Sequence, residues 1–146
     1  MNTKIIRCRD LMVGDWCCDR HGFPMRITNV GDDYAYATFE GNEGDPWEFD
    51  DKDDQPCAIE ITPEILKNNG WKEQEYTALP SEHFYVKNES GKHFLWSYGM
   101  LSLRFISDEI NYRRCPDMEI PVKYVHQLQQ VLRIAGLTDM ANNFKV

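Results

Sequence analysis

The segment 122–136, VKYVHQLQQVLRIAG, restricts the fold more than any other stretch of the chain. Val125, Leu128, Leu132 and Ala135 recur at helical spacing, and Tyr124 and Val131 widen the same face. Gln127, Gln129, Gln130 and Arg133 fall mostly on the other side. Pro121 suits a first helical turn, which has no use for that amide, and Gly136 suits the left-handed position past the end, with Leu137 folding back on the last turn. The spacing therefore predicts a helix over 122–136. A helix of this length is marginal alone in water, so its apolar stripe must be covered. Most of the remaining chain reads as strands, which makes a sheet the expected partner, with Leu128 and Leu132 buried against it.

The first third reads as short strands joined by tight turns. Gly14-Asp15, His21-Gly22-Phe23-Pro24 and Gly31-Asp32-Asp33 are turn signals. Between them lie a strand from Trp16, a second over Met25, Ile27 and Val30, and a third over 34–39. A meander of this kind can close into a small antiparallel barrel. The order of turn, aromatic and strands over 11–39 resembles the start of a Src-homology-3-like barrel. Trp47 and Phe49, spaced i, i+2, predict a short strand packed on it, and Cys57-Ala58-Ile59-Glu60-Ile61 a further one.

At Thr62 the pattern changes. Thr62 is a good N-cap, Pro63 a good first helical residue and Glu64 favours the positive helix end, so a helix of about two turns should precede Asn68-Asn69-Gly70. Residues 71–120 read as an antiparallel meander with strands near 71–76, 83–88, 92–98, 101–107 and 109–114. The fold expected is α+β: a small barrel-like unit over 1–61 carrying an acidic loop, then an α+β unit over 62–146 closed by the C-terminal helix. The tail 139–146 shows no convincing period.

Charge is unevenly placed. The 146 residues carry a formal charge of −8. Residues 1–61 hold six Lys and Arg against fourteen acids, and 40–60 alone hold nine acids and one Lys, whereas 62–146 balance. An acidic chain repels phosphate backbones, so no nucleic-acid partner is expected. No apolar run approaches a membrane span, and charges stand where a leader would need its apolar core, so no membrane partner and a cytoplasmic location are expected. Five cysteines, an odd count, are then expected as free thiols.

Three pieces, DLMVGDWC near the start, ITPEILKNNGWK in the middle and IPVKYVHQLQQVL near the end, resemble in order and spacing a group of small uncharacterised proteins of gut Bacteroides-group bacteria and their phages and mobile elements. The resemblance spans nearly the whole chain. It implies a shared fold and a mobile-element origin, and it carries over no activity, cofactor or site residue. The chain departs from that pattern in its acidic segment 40–55 and in Cys17-Cys18.

Candidate chemistry is sparse. Cys17, Cys18 and His21 are zinc-ligand types, but adjacent strand residues face opposite ways and no second ligand pair follows, so the cysteines read as structural. Any Cys with His21, His83, His93 or His126 could in principle form a nucleophile pair, yet nothing in the sequence selects one. Asp50, Asp51, Asp53 and Asp54 do not follow the calcium-loop pattern and read as a solvated loop. No catalytic residue, metal ligand or cofactor is assigned. The expectation is a non-enzymatic interaction module meeting a basic protein surface through Trp47, Phe49, Asp50, Asp51, Asp53 and Asp54. The alternative is a small Cys/His-dependent or metal-dependent hydrolase-like enzyme. Within the acidic segment, Trp47 is expected as a core residue rather than an exposed anchor.

Overall fold

The computed structural model describes residues 4–73, 83–87, 92–97, 99–105 and 118–146. The fold is α+β with two antiparallel sheets, and the chain divides into two compact units. The first comprises residues 1–60, 124–144 and 146, the second residues 61–123 and 145. The closing helix therefore belongs to the first unit. It was expected to close the second, on the premise that chain order and spatial order coincide.

In the first unit, β1 (Trp16–Cys18), β2 (Pro24–Val30), β3 (Tyr34–Thr38) and β4 (Trp47–Asp50) form a meander in the order β1-β2-β3-β4. Among the described residues the sheet stays open, not closed into the barrel anticipated from the short strands and turns. Alternation sends Met25, Ile27, Ala35, Ala37 and Phe49 inward, all buried. The two alanines on β3 leave room for the 3-10 turn Cys8–Asp10, which packs there with Ile6 and Leu11. A bulge at Thr28 breaks the β2–β3 register, because Ile27 faces Ala37 but Asn29 faces Tyr36. The segment from Cys57 is not a strand. Cys57 makes isolated bridges to Ile5 and Cys18, and Glu60 bridges Tyr124.

Two helices complete this unit, α2 (Val125–Ile134) and α3 (Thr138–Asn142), the latter without a signal in the sequence. Helix α2 starts three residues later than its periodicity suggests. Residues 118–121 pair with a strand of the other sheet instead, so Pro121 ends a strand and Tyr124 takes the N-cap. The far end is as expected: Gly136 has φ 83°, its N–H donates to Arg133 O at 3.0 Å and that of Leu137 to Leu132 O at 2.8 Å. This pair of bonds is the Schellman closure. Leu128 and Leu132 are fully buried, and α2 packs on α3 and β1.

In the second unit, α1 (Pro63–Asn68) begins at Thr62, whose Oγ1 accepts the Ile65 N–H at 3.2 Å. Strands β5 (Lys72–Glu73), β6 (His83–Lys87), β7 (Lys92–Ser97), β8 (Met100–Phe105) and β9 (Met118–Pro121) follow in the order β5-β6-β7-β8-β9. The strand expected over 109–114 lies outside the described residues. Phe84 faces Trp96, Trp96 faces Leu101, and these three with Phe94 are buried. The Trp96 indole N–H donates to Val122 O at 2.7 Å, which satisfies its polar atom in a buried place. Among the described residues no helix is long and apolar enough to cross a membrane.

Candidate functional site

The acidic segment has a definite local architecture. β4 is an edge of the first sheet, hydrogen-bonded to β3 alone in the strand order. Asp50 builds the turn that follows it: one carboxylate oxygen accepts the N–H of Lys52 at 2.8 Å and of Asp53 at 2.6 Å. Those backbone bonds hold the Asp50 carboxyl below its usual range. Asp51 accepts the Cys8 N–H at 2.9 Å across 43 positions and so ties the loop to the core turn. Asp54 accepts the Trp47 indole N–H at 2.9 Å. Asp53 is exposed.

The two aromatics divide. Phe49 is 0% exposed and belongs to the core, so it offers no surface to a partner. Trp47 is 45% exposed, contrary to its expected core role. Register explains the split. Trp47 faces Ala37 and Phe49 faces Ala35, so both share the inward phase, but Trp47 opens the strand after Pro46 while Phe49 lies deeper along it. Trp47, Asp50, Asp51, Asp53 and Asp54 thus remain together around one edge strand and its turn.

The cysteines are arranged for packing. Cys8, Cys17, Cys18 and Cys57 are free and buried. Cys18 and Cys57 exchange backbone hydrogen bonds at 2.9 and 2.8 Å. Burial, then the Asp51 hydrogen bond, pushes the Cys8 thiol up to about 12. Burial and the neighbouring Cys57 push Cys18 up to about 11, and burial raises Cys17 and Cys57 as well. Thiols so placed are protonated at neutral pH, the opposite of an activated nucleophile. His21 lies exposed on a turn, and among the described residues no three His, Cys, Asp or Glu side chains gather as metal ligands.

Three polar residues that periodicity sets aside prove central to the first unit. Asp15, fully buried, accepts from Met12 N at 2.8 Å, Gln130 Nε2 at 2.8 Å and Arg133 Nη1 at 2.5 Å. Gln129, also fully buried, accepts the Trp16 N–H at 2.8 Å and donates to Gly14 O at 2.9 Å and Ala141 O at 3.0 Å. Gly14 has φ 93°, and a Cβ there would meet the Arg133 guanidinium at 2.9 Å. His126, near the start of α2, is buried and stacks near Tyr124 at 6.2 Å between ring centroids. No family model, curated protein or solved structure matches this chain.

Proposed function

We propose that this protein is a non-enzymatic interaction module whose acidic edge, centred on Trp47, takes a basic protein surface. The observation that carries the reading is Trp47 itself: a large aromatic, 45% exposed, on an edge strand and held by Asp54 amid Asp50, Asp51 and Asp53. Aromatic side chains in such settings anchor interfaces, and surrounding charge selects the partner and speeds encounter. The raised thiol pKa values favour this reading over a cysteine-dependent hydrolase. A phage or mobile-element origin rests on the three-segment resemblance, the Src-homology-3-like character of the first strands rests on the element order over 11–39, and a cytoplasmic location is supported by the cysteines that stay free among the described residues.

The test is a titration of the full chain with a panel of Lys/Arg-rich peptides, followed at the Trp47 indole N–H in ¹H–¹⁵N spectra. A saturable shift is expected at low salt. It should vanish near 1 M salt, where the Debye length is about 3 Å, and be absent in Asp50→Asn/Asp51→Asn/Asp53→Asn/Asp54→Asn. Peptide binding that leaves the Trp47 indole unmoved would overturn the assignment.

A further inference from the structure

Beside the first turn of α2 lies a cleft of about 500 Å³, lined by residues 4–7, Asp10, Tyr124, His126, Gln127 and Gln130. It lies wholly within the first unit, and none of its residues belongs to the acidic segment. Arg7 and Asp10 neutralise one another on its rim at 3.0 Å, which leaves Lys4 as the uncompensated charge among the lining side chains. Counted over its lining side chains alone, the cleft carries one net positive charge in a chain of net charge −8, while Asp15 behind His126 and Asp10 on the rim oppose it at the ring. The positive end of the α2 dipole adds to that field.

His126 supplies the second observation. The residue is 8% exposed, and its Nδ1 is sealed from solvent with no hydrogen-bond partner. An unpartnered Nδ1 is better left as a lone pair than as a stranded donor, so we assign the proton to Nε2 and direct that nitrogen to the cleft that His126 lines. Burial, reinforced by Lys4, lowers the His126 pKa against the opposing pull of Asp15 and Asp10, so the ring is a neutral donor at pH 7. Ile5, half exposed, and Ile6 give the same cleft an apolar wall. A donor, an ammonium group, a helix N-terminus and an apolar wall around one concavity match an oxyanion carried on a small apolar body.

We propose that this cleft binds a small organic anion, a carboxylate or a phosphate ester, whose oxygens meet His126 Nε2–H and Lys4 while its body lies against Ile5 and Ile6. The reading is independent of the basic partner proposed for Trp47.

The experiment uses the full chain labelled with ¹⁵N-histidine, the His126 signals being assigned by their loss in His126→Gln. Sodium benzoate, inorganic phosphate and sodium chloride are titrated separately at constant ionic strength, with long-range ¹H–¹⁵N spectra reading both ring nitrogens. Benzoate or phosphate should shift His126 Nε2 saturably, and chloride should not. A response to benzoate alone identifies a carboxylate ligand, and one to phosphate alone a phosphate ester. Lys4→Gln, an exposed substitution, should weaken the response about tenfold, the effect of one charge-assisted contact. Equal effects of all three salts, no saturable shift with any, or an unchanged response in folded Lys4→Gln would overturn the proposal.

Discussion

Arg133 Nη1 lies 2.5 Å from Asp15 Oδ1, joining the last turns of α2 to the loop before β1 across 118 positions of sequence. Asp15 is fully buried and the Arg133 side chain is 10% exposed, so the pair lies away from bulk water. Removing one member leaves the other charge without its counterion. Asp15→Ala should cost about 3–5 kcal/mol, since Met12 N, Gln130 and Arg133 all lose their acceptor. Arg133→Met should cost less, because Asp15 keeps two hydrogen bonds. In urea unfolding the double variant should be more stable than the summed losses imply, by about 1–3 kcal/mol. Simple additivity would mean that the two groups act separately.

Gln129 makes a neutral version of the same joint. Gln129→Leu keeps the side-chain volume and helix preference but strands Trp16 N, while Gly14 O keeps Arg26 Nη2 at 3.3 Å and Ala141 O keeps Phe144 N at 3.3 Å. A buried unpaired donor costs about 1–3 kcal/mol, so a loss of that size is expected. Amide exchange at Trp16 should accelerate selectively, which a general loss of packing would not produce.

These residues also show where the sequence was readable. The helix stripe of Leu128 and Leu132, the Gly136 closure, the Thr62 cap and the alternation of Met25 and Ile27 were legible because each depends on local geometry. Gln129 also stands four residues after Val125 and three before Leu132, on the buried face, but its polarity concealed the position. Pro121 misled because the β8–β9 pairing, a long-range interaction, outweighed its preference for a first helical turn. Asp15 reads locally only as a turn residue, where it accepts from Met12 N; its burial depends on Gln130 and Arg133, on a helix more than a hundred residues away. Of the candidate interaction residues, spacing linked Trp47 and Phe49, but only the end of the strand decides that one is exposed and the other is not.

His126 gives stability a pH dependence of known sign. Its folded pKa lies below the ordinary 6.5, because burial and Lys4 disfavour the charged ring more than Asp15 and Asp10 favour it; Arg7 stands in the same cleft. Above about pH 6.5 both folded and unfolded states hold the ring neutral. Below it the unfolded chain takes up the proton first, so stability falls as pH drops from about 6.5 toward the folded pKa. The loss in urea midpoint between pH 7.5 and pH 5.5 should therefore be smaller in His126→Gln than in the wild type. An equal loss in both would remove His126 as its source.

The sharpest separation of surface from core lies two residues apart on β4. Phe49→Ala should cost about 3–5 kcal/mol, because the ring is wholly enclosed by the inner face of the sheet and the turn over it. Trp47→Ala should cost less than about 1 kcal/mol, because nearly half of the residue is already in water and the lost partner, Asp54, can turn to solvent. Peptide binding, read in this variant at the backbone amides of Lys52 and Asp53, should vanish in Trp47→Ala while its urea midpoint stays near that of the wild type. The four-Asn variant should behave in the same way. Asn at 50, 51 and 54 keeps an oxygen able to accept from Lys52 N and Asp53 N, from Cys8 N and from the Trp47 indole, so the local turns survive while the charge goes. If Trp47→Ala destabilised the fold as severely as Phe49→Ala, the indole would be holding the sheet together, and the anchor reading would lose its basis.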